Sequence, residues 1–461
     1  MFANDTIAAI ATARGEAAIG IVRVSGPATL ALLDRLFHHA GGVPASRLAA
    51  RTAHLGEIRE PASGRPVDQV VLILYRAPRS YTGEDAAEIC GHGGAMPLGR
   101  ILSLALAHGA RPARPGEFTC RAFLNGKLDL AQAEAVVDVV QARTEPALTL
   151  AVRQLEGRLS ALVRRARDAV LPVVAHVEAT IDFPEDVPEL PRPELDRRIA
   201  AAAATVESLL AGARAGRIYR EGARVVIAGR PNVGKSSLLN ALLREDRAIV
   251  TDIPGTTRDV IEESATIRGI PIRTIDTAGI RPARDPIEAI GVERALAQIA
   301  DADLVLAVLD ASQPLGADDR TVLVRARGRP AVVILNKRDL PELRVAPADV
   351  AGDLPGAPVV AISALQGTGI AELEEEVAAT LLGGRGPAGD DALVTSARHQ
   401  AALEAAAASL REARATLTAG IPLDLVVTDL RGALAALGQI TGESASDAVL
   451  ADIFGRFCIG K

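Results

Sequence analysis

The chain has 461 residues, which corresponds to about three domains of ordinary size. Apolar residues make up 49% of it, which excludes a disordered protein, and aromatic residues only 2%, so its cores must be aliphatic. The formal net charge of −6 excludes a protein that coats nucleic acid through a uniformly basic surface, but it allows a local basic patch.

Cysteines and hydropathy indicate the compartment. Cys90, Cys120 and Cys458 are scattered and have no metal-ligand spacing, which is typical of a protein from a reducing environment. No apolar run approaches the ~18 residues of a membrane span, and the N-terminus lacks a basic, then apolar, signal pattern. The sequence therefore predicts a soluble, cytoplasmic protein.

Residues 1–127 combine strand and helix signals and predict a compact α+β domain. The clearest elements are strands at 17–24 and 68–75 and helices at 28–38 and 96–108. Residues 81–85 and 90–94 concentrate glycines and ionisable groups. That composition fits either a ligand pocket or a turn-rich connection with solvated charges.

Residues 128–220 are rich in Ala, with apolar positions every three or four residues. They predict a bundle of stacked helices, at 131–143, 148–177 and 194–211. After a Gly-rich joint, residues 397–437 return to the same composition. One helical domain with an inserted domain is the economical interpretation, because insertion is tolerated where the ends of a domain lie close together. Two separate helical domains are the alternative.

Residues 229–236 read Gly-Arg-Pro-Asn-Val-Gly-Lys-Ser and match the P-loop pattern G-x-x-x-x-G-K-[ST]. They follow an apolar β-type run and precede a helix-forming run, so a mere glycine-rich turn is the weaker interpretation. Backbone N–H groups and the positive end of the helix can bind phosphate there. Lys235 is expected to reach the β- and γ-phosphates, and the Ser236 hydroxyl to ligate Mg²⁺.

Strand and helix patterns alternate from residue 221 to residue 382, which predicts a parallel α/β sheet. Three further motifs follow strands in the order of a GTPase: Asp276, Thr277, Ala278 and Gly279; then Asn336, Lys337 and Asp339; then Ser363, Ala364 and Leu365. The Asp339 carboxylate can accept N1–H and the exocyclic amine of guanine, a donor pair that adenine lacks. The set favours GTP over the alternative of an ATPase.

Hydrolysis needs further groups around the phosphates. Asp276 can hold Mg²⁺ through water, and Thr257 in the switch-like stretch 255–259 can complete the Mg²⁺ shell. Many small GTPases place a water-orienting Gln where this chain has Ile280. Candidate replacements are Arg258, Arg281, Arg284 and Glu288, although Arg258 and Arg281 fit solvated loop charges equally well. A carbonyl oxygen of Asn232 could help to hold a monovalent cation that does the work of an arginine finger.

The last eight residues contain two of the seven Phe residues and Cys458. Termini are usually frayed and polar, so an apolar end predicts a docked tail. Docking would place Cys458 and Lys461 near a site, where Cys458 would be either a nucleophile or a structural thiol.

On these motifs the chain resembles the MnmE (TrmE) family of tRNA modification GTPases over essentially its whole length. The resemblance rests on the G motifs and on residues 4–7, 81–85, 91–94, 114–118, 121–135 and 458–461. It implies a multidomain α/β and α+β fold. The expected parts are an N-terminal α+β folate-binding and dimerisation domain (1–127), a discontinuous helical-bundle domain (128–220 and 383–461) and an inserted Ras-like P-loop GTPase domain (221–382).

The resemblance also implies the function. The family hydrolyses GTP with Mg²⁺ and K⁺, through dimerising G domains. With the FAD-dependent partner MnmG it adds an aminomethyl or carboxymethylaminomethyl group at C5 of the wobble uridine, position 34, of certain tRNAs. A homodimer, a heterotetramer with that partner and a 5-formyl-tetrahydrofolate-like folate are expected with it.

The resemblance implies roles for individual residues as well. K⁺ would contact Asn232, Thr251, Ile253 and Thr256, and Mg²⁺ would contact Ser236 and Thr257. GTP would also contact Val233, Gly234 and Ser237, Glu288 would orient water, and folate would contact Arg23, Glu88, Lys127 and Lys461. Pro254 departs from the Ala that is common in the family and would stiffen the switch loop.

Two other classes of protein share some of these features. A regulatory GTPase of ribosome or RNA assembly would carry the same G motifs, but it normally has a basic RNA-binding module that this sequence does not display. A pure scaffold would need a degraded P-loop, and this one is intact.

Overall fold

A computed structural model describes residues 5–13, 15–245, 264–274, 299–383 and 394–461. Its contacts divide the chain into two units. The N-terminal unit comprises residues 1–137 together with 438–461, and the central unit comprises residues 138–437. The domain boundaries expected from the sequence are finer than this division and stay predictions. In the ranges described, no helix is long and apolar enough to cross a membrane.

The N-terminal unit is built on a mixed seven-stranded sheet of order β3-β4-β5-β6-β2-β1-β7. Its strands are β1 Thr6–Ile10, β2 Ala17–Ser25, β3 Phe37–His39, β4 Ala53–Arg59, β5 Pro66–Tyr75, β6 Ala86–Gly93 and β7 Ala110–Pro112. Neighbours are antiparallel except β1 and β7, which are parallel. The first helices are α1 Thr29–Leu36, α2 Ala95–Ala107, α3 Glu117–Leu124 and α4 Leu130–Gln141.

One face of this sheet is the core of the unit. Alternate residues of β2, β5 and β6 point into it, because successive side chains of a strand lie on opposite faces. Val22, Leu72 and Ile89 are fully buried there and pack with Leu33 of α1 and Ile101 of α2. This arrangement confirms the predicted α+β character of the region.

For residues 90–94 the sequence left open a ligand pocket or a turn-rich connection, and the turn-rich connection is wrong for residues 90–93. Residues up to Gly93 belong to β6, which pairs with both β2 and β5 near the middle of the sheet. At Gly91 a side chain has no room, because a Cβ would lie 2.5 Å from Oδ2 of Asp68. The glycine thus leaves room for the Asp68 side chain of the neighbouring strand β5 and does not mark a turn.

The C-terminal segment packs within the N-terminal unit. Helix α14 (Asp447–Gly455) and Phe457 form an apolar cluster with Cys120 of α3 and Leu130 of α4. The backbone of the tail is held as well, since the Phe118 N–H donates to the Lys461 carbonyl over 3.2 Å. The predicted docking of the tail is confirmed.

Helix α3 is anchored by an ion network around Arg121, whose side chain is 3% exposed. Its guanidinium bonds Oδ1 of Asp5 at 2.6 Å, Oε1 of Glu117 at 3.1 Å and both carboxylate oxygens of Glu84. Arg111 binds Asp5 and Glu117 from the other side. Since the groups neutralise one another, the charges can be buried.

The central unit contains a six-stranded sheet of order β13-β12-β11-β8-β10-β9. Its strands are β8 Ala223–Ala228, β9 Ser264–Ile267, β10 Ile270–Thr274, β11 Leu304–Asp310, β12 Ala331–Asn336 and β13 Val359–Ala361. All pairs are parallel except the β9–β10 hairpin. The predicted parallel α/β sheet is confirmed, and every strand expected from the pattern is present.

The helices of the central unit include long ones outside the sheet region. They are α5 Glu145–Leu155, α6 Arg158–Asp182, α7 Arg192–Glu221, α8 Lys235–Glu245, α9 Ala317–Arg325, α10 Pro347–Ala351, α11 Ile370–Leu382, α12 Ala397–Thr418 and α13 Leu423–Thr441. Helix α7 packs against α6 and α12, as a bundle requires. The single helix expected at 148–177 is interrupted by Gly157, whose φ of +83° is left-handed.

Helix α7 extends about three turns beyond the predicted end at residue 211 and reaches the sheet. Tyr219 in its last turn is 0% exposed and shares one apolar cluster with strands β8, β10, β11 and β12. Leu150 of α5 belongs to the same cluster. The helical part and the sheet therefore share a core inside this unit.

Candidate nucleotide site

The phosphate side of the site is the loop between β8 and α8. Asn232 and Gly234 have φ values of +63° and +98°, so the backbone N–H groups turn inward as in an anion-binding nest. At Gly234 a Cβ would lie 2.3 Å from Nδ2 of Asn336, so only glycine fits. The loop thus has the shape that a phosphate chain requires, and helix α8 begins at its end.

Lys235 begins helix α8 and points back over the loop. Its ammonium donates to the carbonyl oxygens of Gly229 and Arg230, both at 2.8 Å. These bonds hold the cation within the loop. A phosphate can take their place, because a charge-assisted bond to an anion is stronger than one to a neutral carbonyl.

Asn336 joins the three loops of the site. Its side chain is buried, and Nδ2 donates to the Val233 carbonyl in the P-loop over 2.8 Å. Oδ1 accepts the backbone N–H of Ala364 in the loop after β13, over 3.0 Å. The P-loop and the two candidate base loops are therefore held in one arrangement.

The candidate base-recognition group is exposed beside this joint. Asp339 is held at Oδ1 by the Ser363 hydroxyl over 2.6 Å, and the same hydroxyl oxygen accepts the N–H of Gln366. Leu365 lies in this loop with 82% of its surface exposed. An exposed carboxylate fixed at one oxygen can present the other to the edge of a purine.

The structure adds one residue that the sequence analysis missed. Asp310 ends β11 and is buried, with Oδ2 at 2.7 Å from Nζ of Lys337. Burial alone would raise the pKa of the Asp310 carboxyl, but bonds from Lys337 and Ser312 outweigh it and lower that pKa. An Asp at the end of a predicted strand was the available signal in the sequence, and its register partnership with Asn336 appears only in the structure.

Several predicted site residues lie outside the part of the chain that the structure describes. They include the expected switch, Mg²⁺, K⁺ and water-orienting positions: Thr251, Ile253, Thr256, Thr257, Arg258, Asp276, Thr277, Ala278, Gly279 and Glu288. Arg281 and Arg284 lie outside it too. Their roles stay predictions.

The four candidate folate residues all belong to the N-terminal unit. Arg23 and Glu88 are register partners on β2 and β6, with Nη2 and Oε1 2.7 Å apart. Arg23 also donates to the Gly460 carbonyl over 3.1 Å, which brings the tail with Lys461 to this group. The Lys127 ammonium donates to the Pro78 carbonyl over 3.1 Å.

Aromatic rings enclose the Arg23 guanidinium. Its carbon lies 5.8 Å from the ring centre of Tyr81 and 5.6 Å from that of Phe118. Tyr75 donates to the second oxygen of Glu88 over 3.3 Å. Burial first, and Glu88 next, raise the pKa of Tyr75, so its hydroxyl stays protonated and remains a donor.

Known proteins match nearly the whole chain. The family model described as the N-terminus of the GTP-binding protein TrmE matches residues 6–127, and that described as the MnmE helical domain matches residues 130–458. The protein named tRNA modification GTPase MnmE is 51% identical over 460 residues in Chloroflexus aurantiacus and 48% identical over 459 in Geobacillus kaustophilus. These alignments cover 99% of this chain and 100% and 99% of the relatives.

A further relative of the same name, from Bacillus subtilis, is 45% identical over 459 residues, with 99% of this chain and 100% of the relative covered. Among solved structures, the FeoB G-domain from Methanococcus jannaschii is 24% identical and covers 34% of this chain and 97% of its own. Its TM-score is 0.26, which is too low to support an argument.

Proposed function

The chain belongs to the MnmE family of tRNA modification GTPases and is a GTP hydrolase of tRNA modification, and we propose how its residues perform that function. The resemblance inferred from the motifs is confirmed, as is the multidomain fold class. The proposed activity is K⁺-stimulated, Mg²⁺-dependent GTP hydrolysis. With an FAD-dependent partner, it supports addition of an aminomethyl or carboxymethylaminomethyl group at C5 of uridine 34 in certain tRNAs.

The proposed nucleotide site rests on the hydrogen bonds of the Asn336 side chain. These bonds fix the P-loop, through Val233, and the loop that contains Ala364 relative to one another. In the proposed complex, Lys235 exchanges the carbonyls of its own loop for β- and γ-phosphate oxygens, while Asp339 accepts the two N–H groups of guanine. Positioning of this kind supplies most of the catalysis in phosphoryl transfer.

The metal roles rest on the chemistry of the donors. Ser236 follows Lys235 in the first turn of α8, where its hydroxyl fits a Mg²⁺ ligand. Asn232 is exposed, and its left-handed backbone places it at the rim of the loop. Bound cations there would neutralise the charge that develops on the phosphates during hydrolysis. We propose Thr257 as a further Mg²⁺ ligand, Thr251, Ile253 and Thr256 as further K⁺ ligands, and Glu288 as the residue that orients water.

The folate proposal rests on Arg23 and Glu88. A half-buried carboxylate, held by Arg23 on one oxygen and Tyr75 on the other, can accept N–H groups of a pterin ring. The aromatic rings of Tyr81 and Phe118 border the same guanidinium. Lys461 and Cys458 are brought near by the docked tail, so we propose this group as the one-carbon or substrate-orienting site.

The homodimer proposal rests on the second face of the N-terminal sheet. In one row across four strands, Leu55 pairs with Val71, Val71 with Cys90, and Cys90 with Ile21. All four are apolar, and Leu55 is 53% exposed. We propose that a second copy covers this face, because a partly exposed apolar row of this kind favours association. Leu55→Asp should then yield monomers by light scattering, whereas Met96→Asp on helix α2 should not.

Reconstitution tests the proposed function. The purified chain, a partner with FAD, GTP, a one-carbon folate and unmodified tRNA should yield tRNA whose uridine 34 carries the C5 group, by mass spectrometry of its nucleosides. We propose that the chain acts in the cytoplasm, in keeping with its three free cysteines. A chain that hydrolyses GTP but leaves uridine 34 unchanged with any partner would favour a regulatory GTPase of RNA assembly.

A further inference from the structure

We propose that Asp310 is a positioning residue for guanine-nucleotide binding and that it acts through Lys337. The inference rests on the guanine site proposed above and adds a residue to it. Asp310 does not touch the nucleotide in this account. It fixes Lys337, whose four-carbon side chain would border the base because Lys337 lies between Asn336 and Asp339 in the proposed base loop.

Strand register brings the two residues together. Asp310 ends β11 and Asn336 ends β12, and the two are direct partners in the parallel pair. The carboxyl ends of parallel strands meet at one edge of a sheet, which is where ligands of such sheets bind. Lys337 follows Asn336 immediately, so its side chain can return over the neighbouring strand to Asp310.

Both oxygens of the Asp310 carboxylate accept hydrogen bonds. Oδ2 accepts Nζ of Lys337 at 2.7 Å, while Oδ1 accepts the Ser312 backbone N–H at 3.0 Å and the Ser312 hydroxyl at 2.7 Å. The residue is 4% exposed. A carboxylate buried so deeply needs such partners, and they also prevent it from rotating away.

Lys337 is constrained from both ends. Its backbone has a φ of +69°, which an L-residue adopts only when its surroundings hold it there. Its ammonium is held by Asp310, so the methylene groups between them have few remaining rotamers. A lysine that is already ordered loses little conformational entropy when a base packs against it.

A double-mutant cycle tests the coupling. Asp310→Asn keeps the shape and the Ser312 contacts but removes the ion pair, and Lys337→Met keeps the methylene chain but removes the ammonium. Each should raise the Kd for both GTP and GDP about tenfold, the usual effect of losing a bond to a charged group. The double variant should bind no worse than either single variant, because both remove one interaction. KM should change more than kcat.

Two further variants separate this role from a general effect on folding. Lys337→Arg retains an ion pair with Asp310, so it should bind nucleotide more tightly than Lys337→Met, although the wider guanidinium changes the packing beside the base. Ser312→Ala removes one donor to Asp310 but leaves the ion pair, so its effect should be smaller than that of Asp310→Asn. If Asp310→Asn does not fold, the comparison of Lys337→Met with Lys337→Arg still tests the proposal. Equal nucleotide affinities in those two variants would overturn it.

The proposal would also be overturned if the effects of the two substitutions add, so that the double variant loses roughly a hundredfold in affinity for nucleotide. Asp339→Asn distinguishes this failure from a failure of the guanine site itself. That variant should prefer xanthosine triphosphate to GTP. An Asp339→Asn variant that still prefers GTP would contradict the guanine site, whereas the expected switch with an inert Asp310→Asn would contradict only the role of Asp310.

Discussion

The side-chain amide of Asn336 donates to the backbone carbonyl of Val233 over 2.8 Å, across 103 residues of sequence. The bond joins the end of β12 to the P-loop, and the other amide atom holds the N–H of Ala364. The P-loop and the proposed base loops are therefore joined through one buried side chain, although they lie far apart in the chain.

Gly234→Ala should abolish nucleotide binding. The added Cβ would lie 2.3 Å from Nδ2 of Asn336, at a φ of +98°, so either the P-loop or the Asn336 junction must shift. Gly328→Ala is the matched control, because its φ is +76° but no atom lies within 4 Å of the added carbon. Binding of a fluorescent GTP analogue should be lost only in the first variant. Equal affinity in the two would contradict the steric account.

Glu117→Gln should destabilise the N-terminal unit and weaken its response to acid. Burial alone would raise the pKa of Glu117, but bonds from Arg111, the Arg114 backbone and Arg121 outweigh it and lower that pKa. A lowered pKa gives stability that is present above the unfolded value, about 4.3, and is lost as the pH falls through the folded value. The variant should lose about 2–4 kcal/mol at pH 7.

Urea unfolding at pH 7 and at decreasing pH measures both effects. The parent should lose stability more steeply than Glu117→Gln below about pH 4.3, because the variant no longer takes up that proton. Glu57→Gln is the control, since Glu57 pairs with Arg59 at an exposed position and should change stability by less than about 1 kcal/mol. Parallel pH curves for the parent and Glu117→Gln would contradict the network.

Tyr219→Ala should destabilise the P-loop sheet although Tyr219 lies on a helix outside it. The side chain is fully buried among strands of the sheet, so its removal leaves a cavity that costs about 3–5 kcal/mol. Tyr219→Phe keeps the ring and should lose much less. Thermal unfolding with and without GDP follows the effect. A Tyr219→Ala variant as stable as Tyr219→Phe would show that α7 is not part of the core.

The three thiols should react in order of exposure. Cys458 is exposed, Cys90 is half-buried, and Cys120 is buried with its pKa raised by burial to about 12. Burial also raises the pKa of Cys90. Because the thiolate is the nucleophile, a brief treatment of native protein with iodoacetamide should label Cys458 first and Cys120 last. Peptide mapping that finds Cys120 labelled first would contradict the docked tail.

The sequence predicted the strand and helix around the P-loop because its signals there are local. The pattern of residues 229–236 requires a strand before it and a helix after it, and both are present as β8 and α8. Strand β6 was missed because Gly91 and Gly93 weaken strand propensity, and only the neighbouring strands reveal why small residues are needed. Local composition cannot report a close approach from Asp68.

Contacts that depend on tertiary structure were beyond the sequence. The partner of Asp310 is 27 residues away, and only the register of β11 with β12 brings them together. The network of Arg121 joins residues from three separate parts of the chain, including Asp5 and Glu84. The shared core at Tyr219 depends on how far α7 extends, and helix ends are poorly defined by periodicity alone.

The most direct measurement of the central claim is GTP hydrolysis by the purified chain in K⁺ and in Na⁺ at equal ionic strength, with Asn232→Ala beside it. A cation-assisted site without a water-orienting Gln should hydrolyse GTP much faster in K⁺, and the substitution should remove that preference. Asn240→Ala, at an exposed position of α8 outside the predicted site, should retain the preference. Equal rates of the parent chain in the two salts would contradict the cation role of Asn232 and shift attention to Arg258 and Arg281.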